Sequence, residues 1–89
     1  MATVVLYVLE GLTFGKRYVG ITCNLPRRLA EHRSHSSKAG QLLGEFRVVY
    51  TENHPHYASA RQREKFFKSS MGRRTLLALI PRSRPVGDG

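Results

Sequence analysis

The period of the apolar positions changes several times along this 89-residue chain, and each change marks an element. Thr3 to Leu9 (TVVLYVL) is apolar on both faces, as expected of an interior strand rather than an edge. Gly11 and Gly15 bracket a turn, and Arg17 to Ile21 (RYVGI) reads as a second strand, so the opening segment is predicted to be an antiparallel hairpin. A turn centred near Leu12 and Thr13 sets Tyr7 opposite Tyr18, with Cβ atoms roughly 4.5–5.5 Å apart. Two aromatics packing a small core are the simplest account of that pair.

Asn24 is a candidate N-cap and Pro26 is tolerated in a first turn, so a helix is predicted from about Leu25 to Ser34. Its inward face by helical spacing is Leu25, Arg28, Leu29 and His32. Two of these are polar. Either the stripe rests on the leucines while Arg28 and His32 flank it in solvent, or the two polar groups turn back toward the sheet. Residues 33–45 are Ser- and Gly-rich and read as a loop, with a short helical turn at Gln41 to Leu43. Phe46 to Thr51 is predicted as a third strand, with Phe46, Val48 and Tyr50 alternating against Arg47, Val49 and Thr51. A loop at Asn53 to His56 leads to a helix from Tyr57 to about Ser70 and another from Arg73 to Ile80, with Gly72 between them. The Pro/Gly-rich residues 81–89 read as a flexible tail behind a single domain over residues 1–80.

The helix after residue 57 places Tyr57, Ala60, Glu64, Phe67 and Met71 on one side, with Arg63 intruding on the same arc. Glu64 is thus a carboxylate on an apolar stripe, surrounded by Arg61, Arg63, Lys65 and Lys68. It either pairs with Lys68 or Arg28, or holds a cation.

Composition narrows the class. With 15 Lys+Arg against 6 Asp+Glu the formal charge is +9, which predicts a polyanionic partner, nucleic acid first. No window approaches a membrane span and no signal-peptide pattern opens the chain, so a soluble, cytoplasmic protein that avoids membranes is expected. The single cysteine, Cys23, has no disulfide partner and reads as a half-buried filler beside a helix start. His35 and His54-Pro55-His56 invite a metal reading but lack a convincing set of partner ligands.

Leu6-Tyr7-Val8, Tyr18-Val19-Gly20, the run Asn24-Leu25-Pro26-Arg27-Arg28-Leu29-Ala30-Glu31-His32 and the later Arg63-Glu64-Lys65 together resemble the GIY-YIG nuclease superfamily, in particular its small standalone branch. The resemblance spans about residues 3–80, and YVGIT followed by NLPRRLAEH is its most specific part. It implies an α+β fold, an antiparallel three-stranded sheet flanked by three helices, and a magnesium- or manganese-dependent endonuclease. Tyr7 matches the tyrosine ending the first family motif, Tyr18 the one opening the second and Gly20 its closing glycine. Arg28 matches the helix arginine, His32 the histidine one turn on, and Glu64 the metal-binding glutamate. The first motif reads Val5-Leu6-Tyr7 in place of Gly-Ile-Tyr. Ile21 stands where some members carry a lysine, and His32 is the candidate for that role. No asparagine follows Glu64, unlike the sequence-specific members.

Those residue types suit phosphodiester hydrolysis. Arg28 can stabilise charge on phosphoryl oxygens. Glu64 can hold a magnesium ion that keeps most of its waters. A tyrosine serves as general base only if nearby positive charge, from Arg28, Arg17 or a metal, lowers its pKa from about 10. Gly20 is expected to leave space beside the phenols, and Arg17, Gly20, Arg27, Lys38, Arg61, Lys65 and Lys68 are the candidate nucleic-acid contacts, with Arg47, Arg73 and Arg74 adding to the basic footprint. DNA is expected before RNA, with a protein partner or nucleic-acid shape directing target choice. Two alternatives remain open on sequence: a basic nucleic-acid-binding module that cuts weakly or not at all, and a small basic protein serving assembly with a protein or RNA.

Overall fold

A computed structural model describes residues 3–13, 15–34 and 38–81. They form β1 (Val4–Gly11), β2 (Arg17–Thr22), α1 (Leu25–Arg33), α2 (Lys38–Leu43), β3 (Phe46–His54), α3 (Tyr57–Lys68) and α4 (Ser70–Leu79). The sheet is antiparallel in the order β2-β1-β3, so the strand apolar on both faces is the central one. The architecture is α+β, as the sequence predicts, with one helix more: α2 begins at Lys38 instead of being a single turn at 41–43. Among the described residues no helix is long and apolar enough to cross a membrane. The predicted tail lies outside the described residues apart from Pro81.

β1 sorts its side chains by parity into two layers. Leu6 and Val8 pack with Val19, Phe67 and Leu76 beneath α3 and α4. Tyr7 and Leu9 pack on the other face with Leu43, flanked by Tyr18, Leu25, Leu29, Phe46 and Val48. Each fully buried aliphatic or aromatic side chain contributes about 1.5–3 kcal/mol.

Five sequence expectations are corrected. The hairpin register pairs Tyr7 with Gly20 and Leu9 with Tyr18, so the tyrosines are diagonal rather than opposite. The turn is centred one residue later than predicted, and Glu10 faces Arg17 across the ladder. A two-residue register shift leaves every side chain on its predicted face, because the strand period is two. β3 continues to His54, so Asn53 and His54 belong to the sheet and not to a loop. A register irregularity between Val8 and Leu9 breaks the alternation of β3: Phe46 and Val48 join the Tyr7 layer, whereas Val49 and Tyr50 join the Leu6 layer. The last two helices separate at Ser69, which has extended backbone and whose Oγ accepts from Gly72 N at 3.1 Å, not at Gly72. Met71 therefore opens a new helix, 72% exposed, and does not extend the α3 stripe. Cys23 is exposed rather than half-buried.

Gly72 is the contact between α3 and α4. A Cβ there would lie 1.6 Å from the Phe66 carbonyl oxygen and 2.4 Å from its carbon, an overlap with backbone that no rotamer relieves. Gly72→Ala is expected to destabilise the domain by about 1–3 kcal/mol, read as a lower urea midpoint at unchanged slope.

Candidate active site

Tyr7 sits at the centre of the sheet and is 1% exposed. The strand beside it explains how a phenol fits there: a Cβ at Gly20 would fall 2.5 Å from Tyr7 Oη and 3.0 Å from Tyr18 Cε2. Both rings thus use room that only glycine leaves. Asn24 caps α1 by accepting from Arg27 N, at 3.2 Å, and Pro26 lies in the first turn, so the helix starts where predicted. From that start, Arg28 and His32 turn inward onto the sheet.

His32 is 0% exposed, and its Nε2 lies 2.9 Å from Tyr7 Oη. The His32 ring is 5.6 Å from the Tyr18 ring and 5.8 Å from that of Tyr7, while the two phenol rings are 6.2 Å apart. Phe46 meets the imidazole edge-on. Arg28 reaches the Tyr7 hydroxyl and anchors its guanidinium on Glu31, Nη1 donating to Oε1 at 2.8 Å. Its pKa is raised by the Glu31 hydrogen bond first and the Tyr7 hydrogen bond second, so its charge is secure.

Burial decides the proton inventory. It pushes the Tyr7 phenol up to about 12, against the opposing pull of the Arg28 hydrogen bond. The sequence-based expectation that nearby cations lower this phenol's pKa is corrected for Tyr7, because desolvation outweighs them. Desolvation, followed by the Arg28 charge, lowers His32 below the ordinary histidine value, so the ring is neutral near pH 7. One proton is therefore shared across the 2.9 Å contact of Tyr7 Oη and His32 Nε2, and the imidazole tautomer sets which of the two donates.

Glu64 enters from α3, 9% exposed, close enough for its charge to act on Tyr7. Its Oε2 accepts from Lys68 Nζ at 3.1 Å and its Oε1 lies 3.5 Å from Arg61 Nη1. Lys68 Nζ is also 5.8 Å from the centroid of the Tyr18 ring, so this lysine links the carboxylate to the second phenol. Of the sequence alternatives, the Lys68 pair is present, and Arg28 pairs with Glu31.

The pattern also recurs outside this molecule. A family model described as the GIY-YIG catalytic domain matches residues 4–76. The chain belongs to the GIY-YIG family. The solution NMR structure of the UPF0213 protein BH0048 from Bacillus halodurans is similar, with 30% sequence identity over 86% of this chain and 84% of that one, at a TM-score of 0.55. No curated protein matches the chain significantly. The GIY-YIG domain is that of a nuclease family, which makes nucleic acid the general substrate class.

Not every predicted contact of this GIY-YIG domain lies with the cluster. Arg17 alternates with Tyr18 and points to the opposite face, where Nε donates to Glu10 at 2.9 Å. It is therefore not a charge placed beside the phenols, a correction that strand parity alone could have supplied. Its Nη1 and Nη2 are buried without a hydrogen-bond partner among the described residues. Such unmet donors cost about 1–3 kcal/mol. Arg27 is exposed and only 3.6 Å from Glu31, Arg61 faces solvent beside Glu64, and Lys65 is exposed. The Lys38 side chain and His35 lie outside the description. His54 contacts Glu52 and Ser59, and the His56 side chain caps α3, so neither joins a metal cluster among the described residues.

Sequence reasoning missed Glu10 and Glu31. Glu31 carried a signal, since it follows Arg28 by three helical positions. Glu10, 4% exposed, takes Arg17 and Arg47 from its two neighbouring strands and could be found only once both registers were known.

The unfolded chain protonates histidine near pH 6.5, whereas folded His32 takes its proton only at lower pH. Protons therefore favour the unfolded state as pH falls below about 6.5, and stability should decline there. An NMR titration should place the His32 midpoint below the ordinary histidine value of about 6.5, and His32→Asn should flatten this part of the stability profile. Gly20→Ala should cost about 1–3 kcal/mol and displace both phenols, seen as changed Tyr7 and Tyr18 ring shifts in the folded protein.

Proposed function

We propose that the domain is a magnesium-dependent endonuclease acting on phosphodiester bonds of DNA. The supporting observation is the convergence of Tyr7, Tyr18, Arg28 and His32 on one sheet face, with the Glu64 carboxylate in electrostatic contact. Glu64 offers hard oxygen ligation suited to magnesium, which can be held by one carboxylate together with water and substrate phosphate. The half-exposed Lys68 and Arg61 side chains now paired with it are long and can yield that position. When bound, the ion supplies charge neutralisation at the phosphate and acidifies water.

The chain's own groups divide the remaining work. Arg28, braced by Glu31 and Tyr7, donates to a non-bridging phosphate oxygen and stabilises the charge that builds there. Tyr18 is half-buried and reachable by substrate, so it orients the attacking water, and takes that water's proton only after releasing its own to solvent. Tyr7 is enclosed and bonded to His32, which fits a part in fixing Arg28. Arg27, Arg61, Lys65 and the side chain of Lys68 face solvent and lend the backbone affinity, which falls with added salt. A protein partner or DNA shape sets the target.

A second reading, a binding module without efficient cleavage, draws on two features: burial pushes the Tyr7 phenol up to about 12, and the Glu64 carboxylate is already paired with Lys68. A nicking assay on supercoiled DNA separates the two. Cleavage is expected with magnesium and to vanish in EDTA. Arg28→Ala should lower the rate by about 10²–10³-fold and Tyr18→Phe by about 10²–10⁴-fold, with Glu64→Gln inactive although folded. DNA binding without metal-dependent nicking in the unmodified protein would select the binding module.

A further inference from the structure

Beside the phenol cluster, where α4 leans over β2, lies a pocket of about 470 Å³. Among the described residues, four basic ones line it, Lys16, Arg17, Lys68 and Arg73, and no acidic one does. The remaining wall is largely apolar: Phe67 and Leu76 come from the core, and Leu42 and Leu77 stand exposed at the rim. Its size falls within the range of small-ligand sites. Tyr18 and Lys68 belong to this pocket and to the cluster around Tyr7, so the two sites adjoin.

Arg17 gives the pocket its chemistry. Its side chain is only 7% exposed, and one nitrogen, Nε, is used on Glu10. Nη1 and Nη2 are buried and have no hydrogen-bond partner among the described residues. Glu10 is shared with Arg47, so it compensates two guanidinium groups with one charge. A guanidinium with two free nitrogens is the donor pair that binds two oxygens of a phosphate in parallel. A structural arginine needing only its carboxylate would not line a basic hollow with both terminal nitrogens unmet. Lys16, Lys68 and Arg73 add positive charge around it, while the leucines offer area to a sugar or base.

We infer that this pocket is a second phosphate site, receiving one nucleotide of the strand that flanks the bond held at Arg28. The inference rests on the nuclease reading for the identity of that strand, but not for the chemistry of the pocket. A hollow with an apolar wall suits a nucleotide splayed out of the strand better than the regular backbone of a duplex. Seating its phosphate on Arg17 takes a side-chain adjustment at the rim, where Lys16 and Leu42 are exposed.

The test is an NMR titration of the full ¹⁵N-labelled chain without divalent metal, using thymidine 5′-monophosphate, thymidine and inorganic phosphate as probes. The monophosphate is expected to shift the Arg17 Nε–Hε signal and the Val19 and Leu77 amides saturably. Thymidine should leave them unmoved, and inorganic phosphate should bind at least tenfold more weakly. Lys16→Ala and Arg73→Ala, which spare the Glu10 pair, should each weaken monophosphate binding at least fivefold. An unshifted Arg17 signal, an equal response to thymidine, or inorganic phosphate binding as tightly as the nucleotide would overturn the proposal. Cleavage is not read here, so an inactive protein that passes this titration sinks the nuclease reading alone, and a nicking protein that fails it sinks the pocket alone.

Discussion

The ring of Tyr7 fills the volume in which a side chain at position 20 would begin, and the site is assembled around that contact. β1 is pinned between two strands, so its residues have little freedom to move aside. A phenol at its centre can lie flat only against a neighbour without a side chain. Once it does, the second phenol two residues away falls on the same face, and α1 can lower His32 onto both rings. The Tyr7–Gly20 pairing is in turn a matter of register. Glu10, held by Arg17 on one side and Arg47 on the other, is a charged anchor for that register one turn of the pleat away. Breaking such a buried pair by removing one partner costs about 3–5 kcal/mol.

A strong excess of positive charge would be expected to acidify the phenols, and for Tyr7 it does not. Four of the five glutamates, Glu10, Glu31, Glu52 and Glu64, each contact two basic side chains. Arginines near the sheet thus share carboxylates two to one, and Arg28 acts on Tyr7 against the full cost of burying a phenolate. The unpaired surplus sits on the surface, where it attracts a polyanion without altering the chemistry of the interior. Long-range charge and local proton affinity are set by different residues in this fold.

Several features were legible in the chain because the rules behind them tolerate small errors. The central strand was marked by apolarity on both faces. The shared face of Tyr7 and Tyr18 survived a misplaced turn, since a shift of two residues preserves parity. Asn24 and Pro26 fixed the start of α1, and from there the direction of Arg28 and His32 needed only the sheet to settle it. Other features had no local mark. α2 is short and contains a glycine, so it depends on burying Ala39 and Leu43 against the rest of the domain. The sequence marks the separation of α3 from α4 at Gly72, whereas Ser69 carries the cap. The fate of Glu64 depended on which of several nearby cations lay within reach, a question of rotamers rather than of pattern.

The irregularity in β3 means that one continuous strand answers to two masters. Its first half, through Phe46 and Val48, props the imidazole and the leucines of α1; its second half, through Tyr50 and Glu52, grips α3 by way of Arg63 and Phe67. Between them passes the mechanical connection from the helix that bears the guanidinium to the helix that bears the carboxylate. One strand thus packs against both helices from opposite sides of the sheet, so the relative seating of the guanidinium and the carboxylate rests on a backbone that bears neither of them.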